Sequence, residues 1–202
     1  MKKANANSRV IVVDASVARA AGLEGATHPT SFHCAQFLQV MMAICHQAAF
    51  TEELSREWDK HQSSVARRWR SSMIAKKKLI YLESDGLDHL YGSFREQILR
   101  DYAQRKQAYP NDEFLDAAEN NMLNTVLKDV HLIDAAIKTD SRVASLEKEI
   151  RGHFRDLAPA VPDLKQIVWV NPAIPEEEAV AWLEQSAPPD AHRKLGFREP
   201  QQ

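Results

Sequence analysis

Five short apolar runs punctuate the chain: 10–13 (VIVV), 48–50 (AAF), 79–82 (LIYL), 143–146 (VASL) and 167–170 (IVWV). A run with no polar alternation reads as a strand buried on both faces, the habit of a parallel sheet. Longer segments with helical spacing separate the runs. In 32–48 the apolar positions Phe37, Leu38, Met41, Met42 and Cys45 fall on one side. The segment 52–76 follows the capping residue Thr51 and carries Trp58, Val65, Trp69 and Met73 as its apolar side. Further helices are predicted over 90–109, ended by Pro110, then over 114–127, 129–138 and 147–154. A last one starts at Pro175, with Glu176, Glu177 and Glu178 in a first turn whose dipole favours acids.

This alternation predicts an α/β fold, a three-layer α/β/α sandwich around a central, mostly parallel five-stranded sheet. Right-handed crossovers would put helices on both faces. No linker or internal repeat splits the chain. Residues 1–185 read as one domain with a helix-rich middle segment, 52–127, and residues 186–202 as a loosely ordered tail marked by Pro188 and Pro189.

Composition narrows the function classes. The 202 residues are 44% hydrophobic and 27% charged, with a net charge of −2, so no bulk attraction to nucleic acid is visible and any such attraction must be local. No stretch approaches the ~20 apolar residues of a membrane span. The lysines at the N-terminus precede an apolar run too short for a signal sequence. Cys34 and Cys45 would stand roughly 16 Å apart on one helix, beyond the reach of a disulfide. Two free thiols suit a reducing compartment, and the expected location is cytoplasmic. The six glycines form no phosphate-binding loop, and no nucleophile elbow appears.

Candidate chemistry lies in four acids. Asp14 closes the first run, Glu57 follows the second, Asp129 is read as opening a helix, and Glu147 directly follows the fourth run. Carboxylates at the carboxyl ends of parallel strands fall in the crevice where such sheets bind ligands. Several together repel one another unless a divalent cation joins them. The pattern therefore points to a site for Mg2+ or Mn2+. The competing readings are a helix cap for Asp129 and a solvated helix face for Glu57. His131 is two residues beyond Asp129, and its helical phase favours packing or support over direct contact.

The segments around these acids resemble a known family. The stretch VIVVDAS (10–16) looks like the opening strand of a PIN-domain ribonuclease, and FTEELSREW (50–58) is similar to the segment bearing that family's second acid. The stretch KDVHLIDAA (128–136), then DSRVASLE (140–147), resembles the third acid, the fourth strand and the fourth acid, eighteen residues on from the third. The resemblance covers most of residues 9–170 through short motifs. It implies a PIN-like sandwich with Asp14, Glu57 and Asp129 holding a divalent metal and Glu147 completing the site. It also implies an endoribonuclease that hydrolyses phosphodiesters with metal-activated water and leaves a 5′-phosphate. Ser16 matches a small hydroxyl residue near the first acid. The chain departs from the pattern in having Glu147 where Asp is usual, and Asp134 and Asp140 are the spare acids that could compensate.

The densest positive stretch is Arg67, Arg68, Arg70, Lys76, Lys77 and Lys78. It reads either as an RNA-backbone contact or as an ordinary solvated face. Trp58 and Trp69 could stack bases, but core anchoring is the simpler reading. The long middle segment would shape substrate access or form a homo-oligomer interface. Two alternatives accompany the RNA-cutting enzyme: a non-catalytic module binding RNA or a protein, and a toxin ribonuclease held by a protein regulator.

Overall fold

The computed structural model describes residues 8–22, 27–83, 85, 87–112 and 114–199. Five strands form one parallel sheet: β1 (Val10–Val13), β2 (Gln47–Phe50), β3 (Leu79–Tyr81), β4 (Arg142–Ala144) and β5 (Val168–Val170). They lie in the order β3-β2-β1-β4-β5. All four neighbouring pairs are parallel, with Val12 opposite Ala49 on one side of β1 and Val143 on the other. The β1 side chains from Ile11 to Val13 and the whole of β4 and β5 are buried, which explains why these strands, Arg142 aside, are apolar without alternation. This is the α/β sandwich that the run pattern predicts.

Eight α-helices are described: α1 (Ala15–Ala20), α2 (Pro29–Ala43), α3 (Glu52–His61), α4 (Ser64–Ala75), α5 (Leu87–Ala108), α6 (Leu115–Ile137), α7 (Lys148–Leu157) and α8 (Ala179–Glu184). Four differ from expectation; the one predicted from Pro175 is a single 3-10 turn, Pro175–Glu177, and α8 begins only after Glu178, whose φ of 43° breaks the helical path. The segment 52–76 is two helices, because the Ser63 hydroxyl accepts a hydrogen bond from the Ala66 amide and begins a new helix after an extended Gln62. By contrast, 114–138 is one helix. No cap or breaker interrupts it near Lys128, and its buried side runs on through Val126, Val130 and Ile133. Asp129 therefore sits inside a helix and does not open one. The helix predicted over 32–48 starts earlier, at Pro29, and stops at Ala43 because Gln47 already belongs to β2. Ser84 and Gly86, turn-forming residues just past the third apolar run, lie outside the described residues.

The segment after Ser186 is packed, not loose, as far as it is described. Ala187 and Leu195 are fully buried. The Leu195 amide donates to the Ile167 carbonyl at 2.9 Å, and Lys194 bridges Val168 in antiparallel sense. This strap covers the free edge of β5, which would otherwise present unpaired backbone groups.

Topology positions the site. From β1 the chain steps outward to β2 and β3, then returns past β1 to form β4 and β5 on the other side. The order reverses between β1 and β4, and the carboxyl ends of those two strands frame the crevice where open parallel sheets bind ligands.

Candidate metal centre

Asp14 follows β1 directly and is 5% exposed. The Ser16 and Ser145 hydroxyls both donate to its Oδ2, the latter at 2.7 Å, while Oδ1 takes neither bond. Each serine also accepts a backbone amide: Leu146 to Ser16 Oγ and Glu147 to Ser145 Oγ, both at 3.1 Å. The carboxylate is thereby tied to the ends of both β1 and β4. Ser16 was visible as a small hydroxyl near the first acid. Ser145 was hidden in an apolar run whose only polar member it is.

Glu57 arrives from α3. The helix is fixed by the Thr51 side-chain cap and by Trp58, whose Nε1 donates to the Val13 carbonyl at 2.9 Å. Trp58 is fully buried, stacks on Trp69 and meets Phe50 edge-on, so both tryptophans anchor the core. Asp129 projects from the middle of α6. Glu147 stands at the start of α7; its side chain is 49% exposed and faces Arg19 at 3.8 Å.

Asp14, Glu57, Asp129 and Glu147 all line one cavity of about 490 Å³. Its wall also includes Arg19, Lys60 and Lys128, and the further acid Glu149. At its edge a tighter group stands out, formed by two of these acids and a buried histidine behind them. One ligand atom each from Glu57, Asp129 and His131 lie within 4.8 Å of one another. Asp14 and Glu147 are not part of that compact trio.

The electrostatics follow from this crowding. Burial, then the charges of Asp14 and Glu57, push the Asp129 carboxyl up from its ordinary 3.8 to about 6. Contact with His131 holds Glu57 below its ordinary value, against the opposing effect of burial. Burial by itself would lower His131, but Glu57 outweighs it and raises the imidazole above its usual value. A site whose acid resists ionisation is one that a cation would relieve.

No family model, curated protein or solved structure matches this chain. The chemistry of the cavity therefore rests on its own geometry.

Two spare acids turn out to be occupied elsewhere. Asp134 is buried and paired with Lys138 at 2.9 Å. Asp140 accepts the Val10 amide at 2.7 Å, at the amino end of β1 and thus the opposite pole from Asp14. The acid near enough to compensate for Glu147 is Glu149.

The basic stretch is likewise set apart from the cavity. Lys76, Lys77 and Lys78 precede β3, at the amino ends of the strands, and the Lys78 ammonium donates to the Met42 and Ile44 carbonyls. Arg70 pairs with Asp59 at 2.7 Å and lies over the Phe50 ring. Arg67 and Arg68 are exposed on α4. None of the six lines the cavity; its cations are Arg19, Lys60 and Lys128. The sequence does not single these out, because each is an isolated cation: Arg19 among alanines, and Lys60 and Lys128 each beside an aspartate.

The helical phase predicts packing or support for His131. Residues two apart on a helix do not face each other, and only the arrival of Glu57 from α3 joins His131 and Asp129 in one group.

Proposed function

We propose that this chain is a divalent-metal-dependent nuclease acting on RNA. The observation that carries the reading is the meeting of four acids from separate segments in one cavity at the β1–β4 switch point. The donor set fits a hard or borderline divalent ion: clustered carboxylate oxygens, one of them on an acid held near pH 6. Asp14, Glu57 and Asp129 would hold the ion, and Glu147 or Glu149 would stand at its outer side. When bound, such an ion acidifies a coordinated water and neutralises charge on a phosphate.

The chain's own residues supply the rest. Ser16 and Ser145 fix the Asp14 carboxylate by two hydrogen bonds to one oxygen, so its orientation does not depend on the ligand. Arg19, Lys60 and Lys128 place positive charge on the wall of an acidic cavity. That mixture suits a polyanion, whose backbone the cations attract while the acids keep the reacting centre. Helix α6 contributes Asn124, Thr125 and Lys128 to one wall, consistent with a segment that shapes substrate access. Among the described residues no helix is long and apolar enough to cross a membrane. Cys34 and Cys45 are free, which supports a reducing, cytoplasmic setting.

Asp14→Asn tests the reading. Asn keeps an oxygen for both serines, so the fold should persist by circular dichroism while Mn2+-dependent cleavage of a single-stranded RNA oligonucleotide falls by at least about 100-fold. Cleavage equal to the parent's would refute it. One observation favours a second reading, a non-catalytic RNA- or protein-binding module: Glu147 is half-exposed and held only by a loose surface pair with Arg19. RNA binding by the parent without Mn2+-dependent thermal stabilisation would support that alternative.

A further inference from the structure

His131 is the group in this region that the proposed reaction leaves without a task. It is 2% exposed. Its Nδ1 lies 3.0 Å from the Lys128 carbonyl. A carbonyl oxygen only accepts, so Nδ1 carries the hydrogen, and in the neutral ring the lone pair is left on Nε2. That second nitrogen is buried and has no hydrogen-bond partner among the described residues. The Glu57 carboxylate is 3.5 Å away, a charge contact that does not satisfy the nitrogen as a hydrogen bond would. A nearly fully buried imidazole with an unsatisfied nitrogen thus faces two carboxylates.

A backbone carbonyl fixing one ring nitrogen while the other points at acids is the arrangement that orients a metal-binding histidine. The spacing agrees. Three ligands spread evenly about one ion at about 2.1 Å lie about 3.0–3.6 Å apart. His131 Nε2 and a Glu57 oxygen already stand at 3.5 Å, and the trio, within 4.8 Å, needs to close by about 1–2 Å at most.

We propose that His131 Nε2 is a direct metal ligand beside Glu57 and Asp129, and that it makes the site selective for a first-row transition ion of the manganese–iron–cobalt class over Mg2+. The inference rests on the metal-site reading above. Magnesium takes oxygen ligands and keeps its waters, whereas an imidazole nitrogen adds affinity along the series from manganese to cobalt.

The full chain, freed of metal, is titrated with Co2+, Mn2+ and Mg2+ by calorimetry, and then compared with His131→Gln. Gln offers an oxygen of similar reach in place of the nitrogen. We expect the parent to bind Co2+ at least about 100-fold more tightly than Mg2+, and the variant to lose about tenfold or more for Co2+ with less than about threefold for Mg2+. A loss equal for both ions would mark His131 as a positioning residue for Glu57, since supporting groups also cost 10–100-fold, and would overturn the proposal. So would no loss for either. Spectroscopy of the parent guards against a misfolded variant: Mn2+ bound to it should show nitrogen coupling in pulsed electron paramagnetic resonance, and its absence overturns the assignment. If the parent binds none of the three ions, the metal-site reading itself fails. If it binds them without nitrogen coupling, only the histidine assignment falls.

Discussion

Asp129 shows how burial and like charges strain a single residue. Its carboxyl is pushed up to about 6 because burial and the charges of Asp14 and Glu57 disfavour ionisation. At neutral pH the metal-free fold must carry that charge at a cost on the order of 1–3 kcal/mol, from about two pKa units. Asp129→Asn removes the charge and keeps the shape. We expect the variant, in chelator at pH 7.5, to unfold at higher urea concentration than the parent by on the order of 1–2 kcal/mol, yet to lose Mn2+ binding. A variant less stable than the parent would show that the Asp129 carboxylate makes net favourable contacts in the fold and is not a strained ligand. The sequence could nominate Asp129 by type and spacing. It could not show that the residue lies mid-helix under like-charge pressure, because that pressure comes from β1 and α3.

At the scale of elements, α3 is the part whose placement matters most. Its Thr51 cap and its apolar Trp58 were legible, since both follow local rules. The bond from Trp58 Nε1 to the Val13 carbonyl was not, and that bond ties the Glu57 helix to the strand bearing Asp14. Trp58→Phe removes the bond and leaves a void. We expect a loss of about 2–4 kcal/mol in chemical unfolding, by analogy with buried large-to-small changes plus one hydrogen bond. Mn2+ affinity should fall with it; a destabilised variant that binds Mn2+ as well as the parent would mean α3 does not position the ligand. The break at Ser63 and the continuity of α6 mark the limits of local reading. Apolar periodicity carries across a two-residue kink as readily as through a continuous helix, so the phase alone does not separate the two.

For the whole molecule, the proposed metal would compete with protons for one cavity. Asp129, with its value raised, favours the folded state at low pH, an effect full below 3.8 and lost as pH rises to about 6. His131, raised above 6.5, contributes below 6.5 and loses its contribution as pH rises through its higher folded value. Glu57, held below 4.5, contributes above 4.5 and loses it as pH falls through its lower folded value. His46, lowered by burial, erodes stability as pH falls below 6.5. The metal-free chain should therefore be most stable in mildly acid solution. Because metal binding displaces protons, the rise in Tm between chelator and Mn2+ should grow from pH 5 to pH 8. At a free concentration 100 times Kd the stabilisation is ~2.7 kcal/mol, or roughly 5–10 °C for a chain of this size. A larger increment at pH 5 than at pH 8 would contradict a carboxylate–imidazole site.

The chain's own order of residues determined the strands, most of the helices, the α/β class and the identity of the four acids. These follow from local rules: apolar run length, helical period, caps and the chemistry of carboxylates. Tertiary structure alone decided which groups share the cavity with those acids. Arg19, Lys60, Lys128 and Glu149 enter it, and Ser145 and His131 stand behind its acids, while Asp134, Asp140 and the basic stretch from Arg67 to Lys78 do not. The physical reason is that proximity across a sheet depends on the β1–β4 reversal and on the angle at which each helix returns, and neither leaves a signature in neighbouring residues.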